Sequence, residues 1–358
     1  MMNNPNLKTV EVHVHPEYRV TIGSGLLSRC GELVAQTVGL CHLAVVADST
    51  VAPLYLDTVS SSLRAAGYTV SICIYPAGEA HKNLDTLSDL LEFLAAEHLT
   101  RSDCVVALGG GVCGDMAGFA AGCYLRGIRY IQMPTTLLAD VDSSVGGKTA
   151  IDLKAGKNLA GVFLQPTAVL CDTDCLRTLS PHVFADGAAE AIKTGVLCDE
   201  KLFSLFDTDS LQADLTDIIA RCIAFKASVV EQDELDNGLR RTLNLGHTAG
   251  HAIEKCANFS ITHGHAVGIG MVLIARAAEK LGWCEVPCSQ RIAAVLQRNH
   301  LPTSTTYSAT ELARAALSDK KRRGDDIALV IPRKIGDCYM KKVPVDQLEA
   351  IFAAGLEG

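Results

Sequence analysis

The chain has 358 residues, 48% hydrophobic and 20% charged, with a net charge of −8, so it has room for two domains with sizeable cores. The acidic balance excludes a global attraction for nucleic acid or an anionic membrane, which makes any local cluster of lysines more telling. Fourteen scattered cysteines without a C-x-x-C pair, an N-terminus without a signal-like apolar core, and a longest apolar region (105–125) broken by glycines and Asp115 imply a cytoplasmic protein with reduced thiols and no membrane span.

Residues 10–22 alternate apolar and polar, the pattern of paired strands with one half-exposed face. A helix is expected over 26–38, then a buried strand, H-L-A-V-V-A-D, ending in Asp48. An acid at the carboxyl end of a strand is placed either for ribose hydroxyls or as a cap for the helix at 51–66. The strand Y-T-V-S-I-C-I-Y-P and an amphipathic helix over 84–98 follow. Residues 103–108 form a strand that runs into G-G-G-V-C-G-D. Gly109, Gly111 and Gly114 satisfy G-x-G-x-x-G between strand and helix, where backbone amides can approach a pyrophosphate. The acid expected about 20 residues downstream in a standard dinucleotide fingerprint is absent.

A further strand, 129–133, closes on Pro134-Thr135-Thr136. Beyond it Lys148, Lys154 and Lys157 gather among Gly146, Gly147, Gly156 and Asn158, a composition suited to neutralising a phosphate. A P-loop is excluded because its first glycine would stand at position 142, which is Asp. The strand at 168–171 ends the first half, and Ser180-Pro181 reads as the start of a helical second half, with a boundary near 180. Helices are expected over roughly 186–200, 210–231, 239–256, 264–281, 288–298 and 310–318.

In the first of these, Glu190 and Lys193 stand at i, i+3 among alanines, a setting that implies burial and favours Glu190 as a metal ligand. On the helix expected over 239–256, Arg240, Asn244, His247 and His251 fall at steps of four, three and four and share one face. Two histidines at i, i+4, with His263 and His265 after a short loop, point to a divalent metal such as zinc, one ligand coming from elsewhere. Lys320 and Lys321 precede a hairpin-like strand, as a solvated run or as a flap reaching a phosphate.

Seven ordered motifs now carry a resemblance over nearly the whole chain: G-G-G-V-C-G-D-M-A-G-F-A-A, P-T-T-L-L-A-D-V-D-S-S-V-G-G-K-T-A, G-K-N-L-A-G-V-F-L-Q-P, D-C-L-R-T-L, A-E-A-I-K-T-G, L-N-L-G-H-T-A-G-H-A-I-E and H-G-H-A-V. The chain resembles the 3-dehydroquinate synthase family of sugar-phosphate cyclases. The resemblance implies a Rossmann-like α/β nucleotide-binding domain (1–180) followed by an all-α domain (181–358) that binds metal and substrate. It implies Glu190, His247 and His263 as ligands to zinc or cobalt. For NAD it implies Asp48, Glu79, Lys82, Gly111, Val112, Cys113, Gly114, Asp115, Thr135, Thr136, Lys148, Lys157, Cys175, Leu176, Arg177 and Thr178. Toward a sugar acid phosphate it implies catalytic roles for Asp142, Lys148, Lys193, Arg240, Asn244 and His251. Arg126, Asn158, Lys226 and one of Lys320 and Lys321 would bind the substrate, with Arg126 donated across a homodimer interface.

Two positions depart from the family pattern. His265 stands where many members carry Glu, and Asp236 where Glu is common. The expected chemistry converts 3-deoxy-D-arabino-heptulosonate 7-phosphate to 3-dehydroquinate and phosphate with NAD recycled. Another sugar-phosphate cyclase, or a metal-dependent polyol or glycerol-phosphate dehydrogenase, is the alternative reading.

Overall fold

The computed structural model describes residues 7–207, 215–317 and 326–357, and the chain divides into two compact units. The first ends at Leu179 and also takes Lys226–Leu235; the second comprises Ser180–Phe225 and Asp236–Gly358.

The first unit is built on β1 (Lys8–Val12), β2 (Tyr18–Gly23), α1 (Cys30–Val34), β3 (His42–Asp48), α2 (Ala52–Ala65), β4 (Thr69–Tyr75), α3 (Leu84–Ala96), β5 (Cys104–Gly109), α4 (Gly111–Cys123), β6 (Arg129–Pro134), β7 (Lys148–Leu153), β8 (Gly156–Phe163) and β9 (Ala168–Asp172). Seven strands form one sheet in the order β1-β2-β9-β6-β5-β3-β4, parallel except for the β1–β2 pair. Its central strands are buried on both faces and therefore read as continuous apolar runs. Leu43, Val45 and Ala47 of β3 pack toward α1 and α2, while Ala44 and Val46 pack toward α3 and α4. From β3 the chain crosses to β4 on one side and then to β5 on the other. The carboxyl ends of β3 and β5 thus form a topological switch point, the place where open α/β sheets bind ligands. Strands β7 and β8 pair separately as an antiparallel hairpin that the glycine-lysine composition did not announce.

The second unit contains α5 (Pro181–Cys198), α6 (Glu200–Leu205), α7 (Leu215–Gln232), α8 (His247–Cys256), α9 (His263–Lys280), α10 (Ser289–Arg298), α11 (Ala309–Leu317), β10 (Asp326–Lys334), β11 (Asp337–Pro344) and α12 (Leu348–Leu356), the turns of α7 from Lys226 onward belonging to the first unit. Ser180 caps α5, its hydroxyl accepting from the Val183 amide with Pro181 at the first helical position. The unit is not all-α: β10 and β11 pair as an antiparallel hairpin, tied to α5 where the Gly336 amide donates to the Val196 carbonyl. Helix α9 is apolar nearly all round and buried from Gly264 to Ala275, as expected of a helix packed on several sides.

The continuous helix expected over 239–256 does not form. Leu239–Leu243 is a short 3-10 turn, Gly246 takes the left-handed conformation (φ 77°), and α8 begins only at His247. The cause is a close crossing with α9: a Cβ on Gly246 would lie 2.8 Å from both the Met271 amide nitrogen and the Val267 carbonyl oxygen, and one on Gly270 only 2.1 Å from the Gly246 oxygen. Only glycine allows both the left-handed turn and that approach. His247 and His251 keep their i, i+4 relation on α8, whereas Arg240 and Asn244 stand on the preceding turn. Among the described residues no helix is long and apolar enough to cross a membrane.

Candidate active site

In the first unit the glycine turn joins β5 directly to α4, whose N-terminus has no side-chain cap. Helix termini of this kind leave amides and a positive dipole end for an anion. Around it stand Asp48, Thr135 and Thr136. Of the alternatives for Asp48, the structure shows the bonds to the start of the following helix: Oδ1 accepts from the Thr50 and Val51 amides (2.8 and 3.0 Å), while Oδ2 lies 3.6 Å from where a Cβ on Gly109 would sit. A Cβ on Gly110 would come within 3.1 Å of Thr136, and one on Gly111 within 3.0 Å of the Ser143 hydroxyl. The Thr135 hydroxyl is buried with no hydrogen-bond partner, an orphan that a bound nucleotide would satisfy. The residues present therefore fit NAD.

Beside this turn lies a polar network centred on Lys82, which is 4% exposed. Its ammonium meets Asp115 Oδ2 at 2.6 Å and donates to Asn158 Oδ1 at 2.6 Å, and the Asn158 amide donates to Asp152. Burial pulls Lys82 down, but Asp115 outweighs it and holds the lysine above its usual value. Burial pushes Asp115 up to about 6 against the pull of Lys82. Lys157 pairs with Glu79 at 3.4 Å, and Lys226 with Asp142 at 2.6 Å. Asp142 lies on a short π-helix, Ala139–Ser143, a form frequent at functional sites. The Cys175–Thr178 segment is a 3-10 turn pinned by Tyr55, whose hydroxyl meets the Cys175 carbonyl (3.1 Å) and the Thr178 hydroxyl (2.5 Å). Lys148 is exposed at the start of β7. Arg126 is exposed too, with positive φ, as is the φ of Leu125 before it.

In the second unit three helices converge on one point. Helix α5 supplies Glu190, α8 supplies His247 and His251, and His263 is the first residue of α9. Glu190 Oε1 lies 3.5 Å from His263 Nε2 and 3.9 Å from His247 Nε2. Two ligand atoms about 2.1 Å from one ion at a tetrahedral angle stand roughly 3.4 Å apart, so these spacings suit a single zinc or cobalt. Glu190 Oε1 is buried and without a hydrogen-bond partner, while Oε2 accepts from the Lys193 ammonium. Candidate ligand atoms of His247, His251 and His263 also fall within 4.8 Å of one another, bringing His251 closer to the ligand set than its expected role toward substrate required.

Two of these imidazoles, His247 and His263, are held from behind. His263 Nδ1 meets Glu254 Oε2 at 3.3 Å, and His247 Nδ1 meets the Leu245 carbonyl at 3.1 Å. Such bonds fix the tautomer that leaves Nε2 free to ligate. Burial raises Glu190, but Lys193, His263 and His247 outweigh it and keep the carboxyl well below its usual range. Burial and Lys193 push His247 well down. Burial also lowers His263, yet Glu190 and Glu254 overcome it and hold that imidazole up to about 10.

Arg240 is buried in the turn before α8, and Asn244 is exposed at its end. Lys320 and Lys321 lie outside the described residues. Glu254 and Asp186 were not foreseen. Glu254 stands seven residues after His247, two turns along the same helix, and that periodicity is the signal that could have found it.

A mostly parallel α/β sheet followed by a mainly helical unit is the fold this chain shares with solved sugar-phosphate cyclases. A 2-deoxy-scyllo-inosose synthase complexed with carbaglucose-6-phosphate, NAD+ and Co2+ is 26% identical with a TM-score of 0.86, over 98% of this chain and 100% of that one. A 2-epi-5-epi-valiolone synthase from Streptomyces hygroscopicus with NAD+ and Zn2+ bound is also 26% identical with a TM-score of 0.86, over 95% and 97%. A glycerol dehydrogenase from Schizosaccharomyces pombe shares the fold at 15% identity and a TM-score of 0.65, over 94% of this chain and 88% of that one.

The 3-dehydroquinate synthase N-terminal model matches residues 72–186 and its C-terminal counterpart residues 187–322. The 3-dehydroquinate synthase of Enterococcus faecalis is 42% identical over 96% of this chain and 98% of its own length, and that of Pelobacter propionicus 45% identical over 95% and 96%. The chain belongs to the 3-dehydroquinate synthase family.

Proposed function

We propose that this chain converts 3-deoxy-D-arabino-heptulosonate 7-phosphate to 3-dehydroquinate and phosphate, using NAD and one divalent ion, zinc or cobalt. The observation that carries the reading is the buried Glu190 Oε1 facing two imidazole nitrogens at 3.5 and 3.9 Å, on a chain of this family. When bound, the ion polarises a substrate hydroxyl oxygen and NAD+ accepts and later returns one hydride, so the cofactor is unchanged over a cycle.

The protein's own part is to bind and orient. Glu190, His247 and His263 hold the ion, with Glu254 and the Leu245 carbonyl fixing the imidazoles. Lys193 neutralises one oxygen of Glu190 and serves a substrate anion. Asp48, Gly111–Asp115, Thr135 and Thr136 cradle the nucleotide, and the Lys82–Asp115 pair braces the first turn of α4. Lys148, Lys226 and Asn158 serve the phosphate ester, Arg126 completes that site from the second subunit of a homodimer, and Arg240 or Lys193 meets the carboxylate. Asn244 and His251 contact substrate hydroxyls beside the ion. Fourteen free thiols support a cytoplasmic setting.

The ligand bound in the similar 2-deoxy-scyllo-inosose synthase, carbaglucose-6-phosphate, lacks that carboxylate, so a substrate panel tests the reading. Phosphate release from the heptulosonate 7-phosphate should exceed that from hexose and heptulose phosphates lacking the acid by at least about a hundredfold. Faster release from a neutral sugar phosphate assigns the chain to the alternative cyclase activity.

A further inference from the structure

A cluster of polar groups lies one turn away from the ligands, where α5 meets the start of α9. Gly264 touches α5 so closely that a Cβ there would stand 2.1 Å from the Asp186 carbonyl oxygen. Thr262 precedes α9 in extended conformation, the usual place for a side chain that caps the helix, yet its hydroxyl makes no cap bond to the backbone. That hydroxyl instead meets His265 Nδ1 at 2.9 Å. The amide of His265, at the third helical position, donates to Asp186 Oδ1 (3.1 Å), and the His265 ring nitrogen Nδ1 meets the same oxygen at 3.1 Å. His265 is 9% exposed, and its ring stacks on His182 of α5 with centroids 4.2 Å apart.

We propose that Asp186 and His265 are positioning residues for the metal ligands: Asp186 caps α9 from the neighbouring helix, and His265 locks that cap. The consequence follows from chain geometry. Asp186 is one turn before Glu190 on α5, and the residue it caps is two after His263 on α9. One carboxylate thereby sets the distance between a ligand from each helix. If α9 slid or frayed by a fraction of a turn, His263 Nε2 would leave the 3.5 Å spacing to Glu190 that a tetrahedral ion needs. Orienting groups of this kind act on affinity without touching the ion.

The proposal rests on the metal reading above, and the test separates the two. Apoprotein is titrated with Co2+ alone, followed by the visible absorption of the bound ion, and thermal unfolding of the metal-free forms is recorded in parallel. Wild type should bind one equivalent and His247→Ala none; if His247→Ala binds as wild type does, the metal reading falls and the proposal with it. Given the first result, Asp186→Ala should bind Co2+ about tenfold or more weakly. Asp186→Asn keeps a carbonyl acceptor for the His265 amide and should recover to within about threefold. A cap with a merely structural role would lower the unfolding temperature of Asp186→Ala and leave Co2+ affinity and spectrum unchanged, which overturns the proposal. Should Asp186→Ala not fold, His265→Ala removes the ring while keeping the backbone bond. Weakening of about fivefold or more in that variant supports the positioning role, and anything less overturns it.

Discussion

Replacing Glu254 with Ala removes the carboxylate 3.3 Å from His263 Nδ1, while Nε2 of the same ring still faces Glu190. Glu254 is 4% exposed, so little solvent stands ready to take its place. A buried N–H left without an acceptor costs about 1–3 kcal/mol, which is roughly 5- to 150-fold in metal Kd. Loss of a carboxylate behind a ligating histidine typically weakens metal binding about 10- to 100-fold, inside the same range.

A second effect runs the other way. Burial lowers His263, but Glu190 and Glu254 hold it up to about 10, so an incoming ion must displace a proton. Wild-type affinity should therefore rise with pH through the neutral range, by about tenfold per unit. Glu254→Ala weakens that proton's hold as well, so its deficit should be larger near pH 8.5 than near pH 7, values chosen to lie about one and a half and three units below the imidazole's pKa. Competition for Co2+ between apoprotein and a chelator, run at both pH values, measures this directly. Glu254→Gln, with an acceptor but no charge, should fall between. A Glu254→Ala protein holding Co2+ within about twofold of wild type at both pH values refutes the orienting role.

Lys148→Met should lower kcat/KM about ten- to a hundredfold, since a charge-assisted bond to phosphate is worth about 1.5–3 kcal/mol, while metal content stays unchanged. A shift in melting temperature alone would show that Lys148 serves only its strand. Lys82→Met leaves the largely buried Asp115 without its partner, a loss of roughly 3 kcal/mol in urea unfolding at neutral pH. That loss should shrink toward pH 5, about a unit below the Asp115 value of about 6, because a protonated carboxyl needs no cation. Undiminished destabilisation at the lower pH contradicts the charge argument.

Asp140 is fully buried, with no hydrogen-bond partner for either oxygen apart from the adjacent Cys171 thiol. Burial raises it well above its usual value, and Asp172 adds to this against Cys171. Its neutral form is thus the folded form, a contribution present below the unfolded pKa of about 4 and lost as pH rises through the folded one. Asp140→Asn should gain stability relative to wild type as pH increases from about 5 to 8.5 in thermal unfolding. A difference that is flat or reversed over that range contradicts the assignment.

The glycine turn between β5 and α4 and the buried strand β3, a continuous apolar run, could be read from the sequence because each depends on local pattern. The break at Gly246 could not. A glycine inside a helical pattern is commonly tolerated, and what forces the left-handed turn here is the α9 backbone pressing from a distant segment. The β7–β8 hairpin was hidden for a related reason: lysine, glycine and asparagine read as loop, and the pairing of Lys148 with Phe163 is a tertiary choice. Glu190 and Lys193 were legible as a buried pair from their small neighbours. Asp186 was not, because its work is done across helices, on an amide 79 residues away.

An internal redox cycle on a sugar acid phosphate has a direct signature in solution. Metal-loaded protein is mixed with excess 3-deoxy-D-arabino-heptulosonate 7-phosphate and a trace of NAD+, while released phosphate and NADH absorbance are followed together. Many phosphates should be released per NAD+ with no net accumulation of NADH. NADH rising in step with substrate consumed, or phosphate release that stops at one equivalent of NAD+, would contradict it.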